Sequence, residues 1–150
     1  MLGLLVPLAA PALPGAAVAQ SPRSGAEHGV SRSVDTIRVG CSGGRTGNGG
    51  GNLITGDGQL TRYTKPLRSP RAYTPLRRDS AAAMEVFAAL ERIPFRALNH
   101  AQVSDMTCVL ELRDRAGEHS VTWAAGGPPS ALEPALAALR HAFGDDRAWH

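Results

Sequence analysis

Ile37-Arg38-Val39-Gly40-Cys41, then Ser42-Gly43-Gly44-Arg45-Thr46-Gly47-Asn48-Gly49-Gly50-Gly51-Asn52, then Leu53-Ile54-Thr55: this passage decides the fold. In its first five residues apolar and other positions alternate, so Ile37, Val39 and Cys41 share one face of a half-buried strand. The glycine-dense run frees the backbone for positive φ and reads as a wide, adaptable hairpin loop or bulge. Residues 53–55 return as a second strand. Asp57-Gly58 is a strong two-residue turn signal, and Leu60-Thr61-Arg62-Tyr63 reads as a third strand. The chain therefore begins its folded part with a three-stranded antiparallel meander.

Working outward toward the C-terminus, residues 65–78 break this pattern. Pro66, Pro70 and Pro75 oppose a regular ladder, and Lys65, Arg68, Arg71, Arg77 and Arg78 face no intervening acid. The expectation is an extended, exposed connection. Asp79 or Ser80 then caps a helix running to about Arg92, with Ala83, Val86, Phe87 and Leu90 on one stripe. Pro94 pushes Ile93 out of the α region and stops it. Phe95 and Leu98 are expected to tuck back onto the core, and residues 99–105 read as a polar loop. Residues 106–113 alternate again, with Cys108, Leu110 and Leu112 inward. His119 to Trp123 returns as the partner strand of a second hairpin, Val121 and Trp123 sharing its inner face. Ser130-x-x-Glu133 matches a capping box before a helix with Leu132, Leu136, Leu139 and Phe143 in register, closed by Gly144. Pro134 conflicts with that start; a helix beginning one turn later, with Pro134 at its first position, resolves it. The order of elements is α+β: an antiparallel sheet of about five strands with two helices packed on one face.

Toward the N-terminus, residues 1–19 carry no charged side chain, run apolar through Leu2, Leu4, Leu5, Val6 and Leu8, and end in Ala17-Val18-Ala19. That is the apolar region and small-residue cleavage site of a secretory signal, here without a basic n-region. Pro7, Pro11 and Pro14, and a length below the ~20 apolar residues of a span, argue against a membrane helix. The expected organisation is a signal over 1–19, a polar leader over 20–33, a single α+β domain over 34–144 and a frayed tail over 145–150. Cleavage near Ala19 makes the mature chain periplasmic or secreted, with no transmembrane segment. A net charge of +3 selects no partner by itself.

The chain holds two cysteines, and Cys41 and Cys108 both fall on inward parity. Two readings stand: a disulfide, favoured by export, or two buried thiols on separate strands. The glycine run leads into a strand rather than a helix N-terminus, which excludes a phosphate cradle. Its residues Ser42, Gly43, Gly44, Arg45, Thr46, Gly47 and Asn48 remain as an exposed contact loop. The cations Lys65, Arg68, Arg71, Arg77 and Arg78, interleaved with Tyr63 and Tyr73, read either as a solvated connection or as a binding site for an anionic polymer or lipid. Export argues against a nucleic-acid partner. The five histidines show no metal spacing, and there is no HExxH, no GxSxG and no paired carboxylate set. His119 is expected on an outer strand face. No catalytic group, metal or cofactor is expected, and the chain reads as a monomer.

One resemblance adds to this. Asp35-x-Ile37, Ser42-Gly43-Gly44-x-Thr46-Gly47, Asp57-Gly58, a central helix, Val121-x-Trp123 and a Pro-x-x-Leu lead into the final helix follow one another as in small bacterial domains resembling the emfourin-like proteins. The named members of that family are proteinaceous inhibitors of thermolysin-type metallopeptidases. The resemblance implies a non-catalytic domain that blocks the cleft of a secreted or periplasmic peptidase, through the loop at residues 42–52. The signal, the residue 47–51 insertion, the basic proline-rich connector and the two cysteines are this chain's own additions to the pattern. The alternative function is an envelope protein that holds anionic polymer or lipid through that connector.

Overall fold

β1 (Thr36–Gly43) lies inside a six-stranded sheet, flanked by β2 (Gly49–Thr55) and β5 (Met106–Asp114). β3 (Gln59–Lys65) and β4 (Ala72–Arg78) extend the sheet on one side, and β6 (Gly117–Ala124) extends it on the other. The spatial order is β4-β3-β2-β1-β5-β6, and every neighbouring pair is antiparallel. This is a computed structural model, and it describes residues 35–144. The expected signal, leader and tail lie outside the described residues.

Register divides the residues between two faces. Ile37 stands opposite Ile54 and Leu112, Val39 opposite Asn52 and Leu110, and Cys41 opposite Gly50 and Cys108. On this face Ile37, Val39, Ile54, Leu60, Leu110, Val121 and Trp123 are wholly buried. Each such aliphatic side chain contributes roughly 1.5–3 kcal/mol. The lid over them is α1 (Ser80–Glu91) and α2 (Glu133–Phe143), which supply Ala83, Val86 and Leu90 and Leu136, Leu139 and Phe143 to the same core. The result is the α+β architecture, with both helices on one side of the antiparallel sheet.

The helix ends follow the local chemistry. The Asp79 carboxylate accepts the Ala82 amide N–H at 3.0 Å, a side-chain cap at the N-terminus of α1. Pro94 follows the end of α1, and a short 3-10 turn at Phe95–Ala97 carries the Phe95 ring back into the core. Ahead of α2 a 3-10 turn occupies Ser130–Leu132, and Pro134 sits in the first turn of the helix proper, the later of the two starts. Gly144 closes α2 in the left-handed conformation, at φ 64°.

Four expectations need correction. First, the proline-bearing connector does form a ladder: residues 72–78 are β4, the sixth strand. An edge strand needs hydrogen bonds on one side only, and the register shifts beside Pro75, so the missing amide is tolerated. Second, the glycine loop is not wide. Gly49, Gly50 and Gly51 are strand residues of β2, which leaves a turn of residues 44–48. Third, residues 99–105 are not a free loop. Thr122 donates to the His100 carbonyl at 2.9 Å and accepts from Gln102 at 3.1 Å, so this stretch runs along β6 and covers part of its edge. Fourth, His119 lies on the helix-covered face, opposite Leu112, with its ring edge-on to Phe95 at 5.1 Å.

The strand glycines have a steric cause. Gly40 and Gly51 face each other across β1 and β2, and Tyr63 stands beside Gly51 on β3. A Cβ on either glycine would run into the Tyr63 phenolic oxygen and into neighbouring backbone. The tyrosine ring therefore lies over a patch cleared for it, which leaves it only 5% exposed although no helix covers that face.

Candidate functional site

Cys41 and Cys108 meet directly across β1 and β5 and are joined by a disulfide between residues 67 apart in sequence. Equal inward parity was legible in the sequence; the shared register that brings the two sulfurs together was not. A disulfide and the lack, among the described residues, of any helix long and apolar enough to cross a membrane are compatible with an extracellular location.

Of the seven loop residues singled out, Ser42 and Gly43 end β1 and the next five form the turn into β2. The turn is held from both sides. The Gly44 N–H donates to the Asp105 carbonyl at 2.6 Å, the Gly43 N–H to the Asn48 carbonyl at 3.1 Å, and the Leu67 N–H to Asn48 Oδ1 at 2.9 Å. Gly44 and Gly47 take left-handed φ values of 68° and 63°. Leu67 packs on Gly47 so closely that a Cβ there would stand 2.8 Å from Leu67 Cδ1. Against this turn Leu67 and Met106 are exposed apolar side chains, and Arg45 and Thr46 within it are exposed too. Apolar side chains flanking a braced turn can enter a partner's cleft without first being ordered.

The five connector cations do not gather. Arg77 turns to the helix side, where it donates to the Ala142 carbonyl at 2.5 Å and sits 3.6 Å from the Asp79 carboxylate. Arg78 pairs with Asp57 at 3.0 Å, tying the end of β4 to the β2–β3 turn. Lys65 ends β3, and Arg68 lies in the β3–β4 turn at a positive φ of 65°. Lys65 and Arg71 both line a small hollow beside Tyr63 on the open face, the Arg71 guanidinium 5.8 Å from the Tyr63 ring centroid.

Arg71 meets there a set that no sequence motif announced. A groove of about 410 Å³ runs across the open face. Its floor is the Arg38–Glu111 ion pair, opposed in register on β1 and β5 and mostly buried, with Arg38 Nε unpartnered among the described residues. Arg71 and Tyr73 stand on the β4 side of the groove. Arg113 pairs with Glu118 at 2.6 Å on the β6 side, and that hydrogen bond raises the Arg113 pKa further. Burial under its neighbours pushes the Tyr63 phenol above its ordinary value of 10.0. Parity alone puts Arg38, Glu111 and Arg113 opposite the core residues of their own strands; register makes them neighbours.

Among the described residues no three His, Cys, Asp or Glu side chains gather to hold a metal. His119 Nε2 is buried without a partner among the described residues, and so is the Trp123 indole nitrogen. A second cavity, of about 450 Å³, lies where the end of α1 meets β5. It is lined by Phe87, Ile93, Phe95 and Leu112, with Asp114 and Arg96 paired at 2.5 Å beside them. No protein-family model matches the chain, and no curated protein matches it.

Proposed function

We propose that this chain is an exported, non-catalytic binding domain that acts as a proteinaceous peptidase inhibitor. Its signal is removed near Ala19, and the mature monomer blocks a secreted or periplasmic peptidase of the thermolysin type. The observation that carries the reading is the braced turn at residues 44–48 with Leu67 and Met106 exposed beside it. A segment fixed before encounter loses less conformational freedom on docking than a mobile one, so less of its apolar burial is offset by ordering. The apolar side chains give the turn something to bury, and the disulfide at Cys41, three residues before it, ties its base to β5.

The test is a titration of the mature domain against thermolysin-type metallopeptidases and, in parallel, unrelated secreted serine peptidases. The expected result is stoichiometric inhibition of the metallopeptidase at micromolar protein or below, weakened about tenfold by Leu67→Ala, a loss of ~1.4 kcal/mol. No inhibition at micromolar protein sinks the reading. N-terminal sequencing of the protein recovered from the culture tests export separately: a chain starting at Gln20 is expected.

A further inference from the structure

We infer that the groove on the open face is a binding site for a carboxylated sugar chain, a site separate from the turn that the inhibitor reading uses. The argument begins from charge. Arg38, Arg71 and Arg113 face Glu111 and Glu118, so the groove has a small positive excess and is not uniformly basic. Two of the arginines are already matched, Arg38 with Glu111 and Arg113 with Glu118. Arg71 has no acidic partner among the described residues and stands over the Tyr63 ring at the side of the groove. One carboxylate entering the groove pairs with Arg71. A ligand of high charge density, such as a polyphosphate, would meet the two glutamates as well and be repelled.

The rest of the lining fits the body of a sugar. Tyr73 is 51% exposed, and its ring stands 6.0 Å from that of Tyr63, a platform for the C–H face of a pyranose. Glu111, Glu118 and the Thr36 hydroxyl offer acceptors to sugar hydroxyls. The backbone offers nothing, because β1 is hydrogen-bonded on one side to β2 and on the other to β5. An extended acidic peptide would therefore bring its own amide groups to a floor that cannot pair them, whereas a sugar chain brings hydroxyls that side chains can meet. The groove is open and crosses the strands, so it admits one or two residues of a longer chain without enclosing its ends.

The experiment uses tetragalacturonate as probe on the mature, disulfide-bonded protein, followed by amide chemical shifts and calorimetry. A neutral oligosaccharide of equal length, inorganic polyphosphate and a polyglutamate peptide are run alongside. Expected are saturable binding of the uronate with shifts on the open-face strands, and weaker binding or none for the other three. Arg71→Gln and Tyr73→Ala, both at exposed positions that leave the core intact, each weaken the uronate at least tenfold. Arg92→Gln, at the end of α1 on the other side of the sheet, leaves it unchanged. No uronate binding overturns the proposal, as does binding indifferent to Arg71→Gln and Tyr73→Ala. Equal or tighter binding of polyphosphate, polyglutamate or the neutral sugar overturns the assignment to a carboxylated sugar. Peptidase inhibition is not part of this readout, so either proposal fails without taking the other with it.

Discussion

The two faces of the sheet are built from alternate residues of the same strands, yet they obey different rules. On the helix-covered face Ile37, Val39, Leu110, Val121 and Trp123 are apolar and sealed, and they are interchangeable in kind: each excludes water. On the open face Arg38 is matched to Glu111, Arg113 to Glu118, and Tyr63 to Gly40 and Gly51. Each of these residues depends on particular neighbours on other strands. Apolar burial is non-directional, so apart from the Cys41–Cys108 pair the covered face needs only the right parity. Charge pairing and ring-on-glycine packing are specific to cross-strand partners, so the open face needs the right register as well.

That contrast can be broken or sharpened by substitution. Leu110→Ala on the covered face should cost ~2–5 kcal/mol in denaturant unfolding; a loss under ~1 kcal/mol would mean that the helices do not seal this face. Replacing both cysteines, as Cys41→Ala with Cys108→Ala, should cost ~2–4 kcal/mol, and reduction of the unaltered protein should lower the melting temperature by a comparable amount. If neither changes the midpoint, the link between β1 and β5 adds nothing to the pairing already there. Gly51→Ala tests the open face: the added methyl meets the Val39 carbonyl and the Tyr63 phenol, and ~1–3 kcal/mol of overpacking strain is expected. Stability equal to wild type would show that the tyrosine does not rest on the glycines.

The smallest effect is expected at the rim, where neither face governs. The hydrogen bond from Thr55 holds the Asp57 carboxyl below 3.8, and the hydrogen bond from Arg96 does the same for Asp114. Both folded-state values are depressed. Their stabilisation is therefore complete above the unfolded value and disappears as pH falls through the lowered ones. The unfolding midpoint should stay level down to about pH 4 from these two groups and decline below it, and Asp114→Asn should flatten part of that decline. A slope unchanged by the substitution would remove Asp114 from the acid response.

Much of the covered face was readable in advance. The period-two runs around Val39 and Leu110 and the helical stripe through Leu136 and Leu139 are signals confined to a few residues of one segment. The N-cap at Asp79 and the closing Gly144 are equally local. Residues 72–78 were misread because Pro75 weighs against a strand in any one-segment reading, while the exemption for an edge strand depends on where the sheet stops. Residues 49–51 were misread for a related reason: consecutive glycines look like loop until the neighbouring strands explain why nothing larger fits, Ser42 against Gly49 and the Tyr63 phenol against Gly51. Of the groove only the Arg71 and Tyr73 side was legible, as part of the basic connector. Arg38, Glu111 and Glu118 lie far from it in sequence, so only assembled strands make them one surface.

By itself the amino-acid sequence determined the two helices, the strands around Val39, Leu60, Leu110 and Val121 with their apolar inward residues, and the equal parity of the two cysteines, because each depends on dihedral preference and burial within a single segment. The tertiary structure alone decided strand order, the register that opposes Cys41 to Cys108, the bracing of the 44–48 turn by Asn48 and Asp105, and the gathering of arginines and tyrosines on the open face. Those are relations between segments separated along the chain, and a pattern within one segment carries no information about which other segment will lie beside it.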